Sequence, residues 1–189
     1  MTISKYILGA LIAAVLPLSL AACSNTLKLG VTGTIGDPTL ALIIAEEVNR
    51  YRIQQGTKPL PRHAGLEELA ADHSAYMLAN RGTFSLYGKN VTHMGACGRA
   101  LMAMNVHGFT SFSENVAAMK KSGGDAKTAA DMVKLWMNSP AHDQAMREKT
   151  WSHTGVAVSV ADDGTVFATQ IFGTEGSSHR NMINRMNSF

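Results

Sequence analysis

Apolar residues recur at helical spacing in three stretches of this chain and alternate with polar ones in two short runs near its end. The first stretch opens with Asp37 as N-cap and Pro38 at the first helical position; Leu40, Ile44, Val48 and Tyr51 form its stripe, and Gly56 stops it. After a Pro-bounded turn, a second helix is predicted from about Leu66 to Arg81. Leu66, Leu69, Ala70, His73 and Met77 share its apolar side, and Gly82 follows. A third starts near Asp125 and carries Ala129, Met132, Val133, Trp136 and Met137 on one face. Ser139 before Pro140 then reads as the N-cap of a short helix, its hydroxyl committed to backbone N–H groups, with His142 in the first turn. The positive end of that helix favours a neutral imidazole.

The alternating runs, 154-TGVAVSVA-161 and 165-TVFATQIF-172, are joined through Asp162-Asp163-Gly164, which predicts a hairpin with glycine at the positive-φ position. Two segments resist assignment. Between 83 and 110, Leu101, Met102 and Met104 suggest a helical turn, either lining a groove or packed in the core. The stretch 111-SFSENVAAM-119 fits a short strand or a helix equally by period. Helices first and a hairpin last make the class α+β, a sheet covered by helices, over residues 37–173, with a polar tail at 174–189.

The N-terminus stands outside this pattern. Residues 1–22 combine Lys5, an apolar run from Tyr6 to Leu20 broken by Pro17, and small residues before Cys23, which is the layout of an export signal. Leu20-Ala21-Ala22-Cys23 resembles the bacterial lipobox, implying cleavage before Cys23 and a diacylglycerol on its sulfur. Residues 23–36 read as the lipidated cysteine and a flexible tether. Ser24 at the following position implies the outer membrane, facing the periplasm or the cell surface. With Cys23 lipidated, Cys97 is alone, so the domain carries no internal disulfide; in its Gly-rich setting Cys97 reads as a small semi-buried residue.

Composition narrows the chemistry. A net charge of +3 spread over 189 residues lacks the clustered cations that nucleic acid requires. No HExxH, phosphate loop or paired-cysteine motif occurs.

The segments 48-VNRYRIQQGTKPL-60, 66-LEELAADHSAYM-77, 92-TH-93, 113-SENVA-117, 136-WMNSPAH-142, 155-GVAV-158 and 169-TQIFG-173, in this order, resemble the bacterial branch of the CAP superfamily, the SCP-like extracellular proteins. The resemblance implies an α-β-α sandwich around a three-stranded antiparallel sheet, with a surface cleft lined in many members by two histidines and two glutamates. The first glutamate matches Glu114 and the second histidine matches His142. His93 is the best match for the first histidine, with His107 as competitor. Ser139 stands where eukaryotic members keep the second glutamate.

Two imidazoles, His93 and His142, with water completing the shell, suit Zn²⁺ or another divalent metal, bound weakly because catalytic zinc sites use three protein ligands. Glu114 then serves as third ligand, as orienting partner or as base. Ser139 with His142 and Glu114 invites a nucleophile instead, against the capping role. His73 reads as a packing contact on its helix. The expected function is a lipid-anchored, non-enzymatic envelope module that meets the bacterial membrane through its N-terminal lipid. Its cleft binds a divalent metal, a small apolar ligand as some members do, or an envelope component. The alternative is a metal-dependent hydrolase acting on peptide or cell-wall bonds, with Glu114 as base.

Overall fold

A computed structural model describes residues 33–83 and 91–179. The expected leader 1–22, Cys23 and the chain beyond 179 lie outside the described residues.

The order is β1 (Gly33–Ile35), α1 (Pro38–Gln54), α2 (Ala64–Ala79), α3 (Ala96–Asn105), β2 (Phe109–Lys120), α4 (Asp125–Met137), α5 (Pro140–Arg147), β3 (His153–Ala161) and β4 (Thr165–Glu175). The strands form one antiparallel sheet, β1-β3-β4-β2. Among the described residues, no helix is long and apolar enough to cross a membrane.

The predicted helices start where their signals lie. The Asp37 carboxylate accepts the Leu40 N–H at 3.0 Å, with Pro38 in the first turn, and the chain leaves α1 through Gly56 at φ 73°. The β3–β4 hairpin turns at Gly164, φ 79°, as its Asp-Asp-Gly predicts. The ambiguous 111–119 segment is the middle of β2.

Alternation along the strands builds two helical layers. Even positions of β4, with Val156 and Val158 of β3, pack under α1, α4 and α5, where Leu40, Ile44, Val48, Met132, Trp136 and Met146 form the larger core. Odd positions face α2 and α3: Ile171 and Ala157 meet Leu66, Leu69, Ala70 and Ala103, while Phe167 and Ala161 meet Met77 and Leu78. The result is the α-β-α sandwich the resemblance implies. Gly155 lets α2 lie against β3: a Cβ there would come within 2.3 Å of the Leu66 backbone.

Among the described residues the sheet has four strands, not three. Gly33–Ile35, expected in the flexible tether, pairs with Ser159–Ala161. All three residues are exposed, so no apolar alternation marks them; the strand exists through its backbone ladder. The same ladder carries β4 past Gly173 to Glu175. Cys97, expected to be semi-buried, is exposed. Leu101, Met102 and Met104 are not core: α3 buries Ala103 alone and turns these residues outward at 58%, 47% and 39% exposure.

One fully buried cation organises the larger layer. Arg52 on α1 donates from Nε to the Lys58 carbonyl at 2.9 Å and from Nη1 to the carbonyls of Met146 and Glu148, closing the C-terminal end of α5. The Tyr51 hydroxyl donates to Asp143, fastening the start of α5 to α1 as well.

Candidate functional site

Glu114 sits on β2 opposite Ile171, so its side chain faces the α2–α3 layer, where only 3% of it is exposed. A buried carboxylate needs partners. Arg99, in the first turns of α3, supplies a fork: Nε donates to Oε2 at 2.6 Å and Nη2 to Oε1 at 2.8 Å. Its Nη1 donates to the Met94 carbonyl at 3.0 Å, which fixes the turn before α3. His93 lies in that turn, with Nδ1 2.9 Å from Glu114 Oε1. A carboxylate only accepts, so Nδ1 carries the proton and a neutral ring keeps its lone pair on Nε2. The His93 side chain is 38% exposed.

Beneath this layer is His73 of α2, fully buried. Its Nε2 donates to the Thr92 carbonyl at 2.6 Å and lies 3.9 Å from Glu114 Oε1. Its role therefore goes beyond packing: it holds the backbone next to His93.

Burial alone pushes the Glu114 carboxyl up. Hydrogen bonds from His93 and Arg99, with the Arg99 charge, outweigh it and hold the group below its ordinary range. Burial pushes His73 below the usual histidine range, partly offset by Glu114. The site therefore contains a fixed carboxylate over a neutral imidazole.

The next residue on the strand points the other way. Asn115, fully buried in the opposite layer, donates from Nδ2 to the His142 carbonyl at 3.2 Å. Adjacent residues of one strand thus bond Arg99 and His93 on one side and the His142 backbone on the other, and the His142 ring comes to 6.4 Å from that of His93, centroid to centroid. His107, the competitor of His93, lies elsewhere, against His63.

Ser139 holds the N-cap position of α5 with φ −111° and ψ 115°, and its carbonyl accepts the Asp143 N–H at 2.8 Å. Its hydroxyl makes no capping hydrogen bond, contrary to expectation. The backbone and Pro140 at the first helical position start this helix without it.

The donor set does not fit the implied metal. Among the described residues no three His, Cys, Asp or Glu side chains form a group that could hold one. The reason is Arg99, which occupies both oxygens of Glu114 and places a guanidinium where a dication would be repelled. His93 and His142 are then two imidazoles without a third ligand.

Arg99 and the part played by His73 escaped the sequence. A signal for Arg99 existed: between Val91 and Glu114 it is the sole charged side chain, one cation facing the next anion along the chain. Beside it a groove of about 350 Å³ runs between α2 and α3, lined by Glu68, Leu69, Asp72, Arg99, Met102, Val106 and His107.

A model of the cysteine-rich secretory protein family, CAP, matches residues 45–172. No curated protein sequence matches the chain significantly. Among solved structures, an outer surface protein of Borrelia burgdorferi is 18% identical with a TM-score of 0.59, over 76% of this chain and 99% of that one. An SCP-domain extracellular protein of Bacillus anthracis is 23% identical with a TM-score of 0.54, over 72% of this chain and 41% of that one. NaASP2, solved with Zn²⁺, is 12% identical with a TM-score of 0.53, over 75% and 83%. These likenesses describe the fold.

Proposed function

Since the chain belongs to the CAP family, we propose that it is a non-enzymatic binding module of the bacterial envelope, tethered through a lipid on Cys23, which holds a small apolar ligand beside its His93–Arg99–Glu114 cleft. The observation that carries this reading is the state of Glu114. Both its oxygens accept from Arg99, its side chain is 3% exposed and it is held below the ordinary carboxylate range, so it is a weak base. Hydrolysis through Glu114 loses its proton acceptor, and the Zn²⁺ that would activate water lacks a third ligand.

An apolar ligand is supported by α3. Met94, Leu101, Met102, Met104 and Val106 are all exposed on or beside a ten-residue helix, and Met102 and Val106 line the groove together with Arg99. Flexible methionines suit an apolar guest of variable shape. Location in the outer membrane, facing the periplasm or surface, is supported by the resemblance of Leu-Ala-Ala-Cys to a lipobox and by Ser24 after it.

Native mass spectrometry of residues 24–189 from a bacterial host should show co-purifying apolar mass, and Met102→Glu should remove it without unfolding the domain. A wild-type spectrum free of added mass, together with no displacement of a fluorescent fatty acid, would overturn the reading. Anchoring is separate: Cys23→Ala should lose the diacylglycerol mass and move the protein from the membrane to the soluble fraction.

A further inference from the structure

Four of the seven histidines gather at a second place, which the cleft does not use. His63 precedes α2 as its N-cap, His107 lies in the turn between α3 and β2, His153 begins β3, and His179 follows β4. The His63 ring is the hub, 5.9 Å from His107, 5.5 Å from His153 and 4.9 Å from Phe109, centroid to centroid. Two glycines leave room for the outer rings. A Cβ on Gly65 would fall 2.4 Å from the His107 ring, and one on Gly108 would fall 2.4 Å from the His179 ring. Bulk at either position is incompatible with the cluster.

The corner these rings fill is a junction. The His63 N–H donates to the Thr154 carbonyl at 3.0 Å and the Gly176 N–H to the Gly108 carbonyl at 2.9 Å, joining four elements. Its polar groups are arranged for neutral rings. His63 Nδ1 is buried with no partner among the described residues, and the positive end of α2 opposes a charge there. His153 Nδ1 shares a hydrogen with Ser152 Oγ at 2.9 Å. A carboxylate, Glu175, lies 3.2 Å from His179 Nδ1. The other nearby acids are Glu67, which pairs with Arg62, and Glu68 and Asp72, which are solvent-exposed and line the same groove as His107.

We propose that this cluster is an acid-sensitive clasp: with neutral rings it seals the end of β4 against α2 and the α3–β2 turn, and protonation below about pH 6 releases it. Glu175 faces the outermost ring, His179. Charge on the inner rings brings imidazolium groups against one another around His63, and their repulsion at this separation is relieved by moving them apart. Burial, then the neighbouring His153 and His107, already push His63 below the usual histidine range, with Glu175 opposing. Because His107 also lines the α2–α3 groove, release loosens that groove wall as well. The opening itself does not depend on what the groove binds.

Hydrogen exchange of residues 24–189, corrected for intrinsic rates, tests the clasp between pH 7.5 and 5. Peptides over 172–179 and 105–110 should gain exchange at least tenfold at the acid end, while those over α1 and α4 stay protected. His63→Asn removes the hub and supplies a favoured N-cap, so α2 should form and the acid response of both peptides should disappear. His179→Gln, at the edge, should reduce it. Titration of the imidazole Cε1 protons by NMR gives a second readout, with at least one of the four displaced below the exposed-histidine range. Exchange in the wild type that ignores pH, an equal response in His63→Asn, or four unperturbed titrations would each overturn the proposal.

Discussion

A single guanidinium sets the character of the cleft. Arg99 turns Glu114 from a candidate base into a fixed anion, and its removal should expose how much the fold depends on that neutralisation. Arg99→Met leaves a buried carboxylate with His93 as its remaining hydrogen-bond donor, which should cost about 3–5 kcal/mol at pH 7.5 in urea unfolding. The cost should shrink near pH 4.5, because burial unopposed by the fork raises the Glu114 carboxyl and lets it protonate. An equal loss at both pH values would mean that packing, not charge, is at stake. Glu114 and His93 were legible as members of an ordered motif series. Arg99 left one trace, as the sole charge between Val91 and Glu114, but spacing on its own helix does not tie it to an anion fifteen residues away. His73 was hidden by its position on an apolar stripe, where burial and a polar task look alike.

At the level of elements, capping and turn chemistry were readable, and exposure was not. The Asp37-Pro38 start, the Asp125 helix and the Asp-Asp-Gly hairpin all carry local signals strong enough to survive tertiary context. β1 carries none, since three exposed residues leave no pattern. The strand character of β2 hid for another reason: it is an edge, and several of its outward positions are only partly covered, which blurs its alternation. α3 misled because its apolar residues face outward. Two glycines measure how differently the layers are built. Gly155→Ala drives a Cβ into the Leu66 backbone and should cost about 3 kcal/mol. Gly98→Ala, inside α3 with open space around the new atom, should instead stabilise by about 0.5–1 kcal/mol. Thermal unfolding of the two variants beside the wild type checks both signs.

For the whole molecule, the buried titratable groups act in one direction. His63 and His73 hold protons less readily when folded, so the unfolded chain takes them up first as pH falls below about 6.5, and stability drops. The Glu114 contribution is present above about pH 4.5 and is lost as pH falls through its lower folded value. The urea midpoint should therefore decline from pH 7.5 to 5.5 and again to 4, with His63→Asn flattening the first step. A midpoint constant over this range would contradict both assignments. Glu114 and Asn115, neighbours that face opposite layers, have one further consequence, for assembly of the sheet. If β2 paired with β4 one residue out of step, the carboxylate would enter the Trp136 layer, where Arg52 already donates to backbone carbonyls, and the amide would meet Arg99. The penalty is electrostatic, so it acts before side chains interlock. The edge strand most prone to slippage thus carries its own check against misfolding.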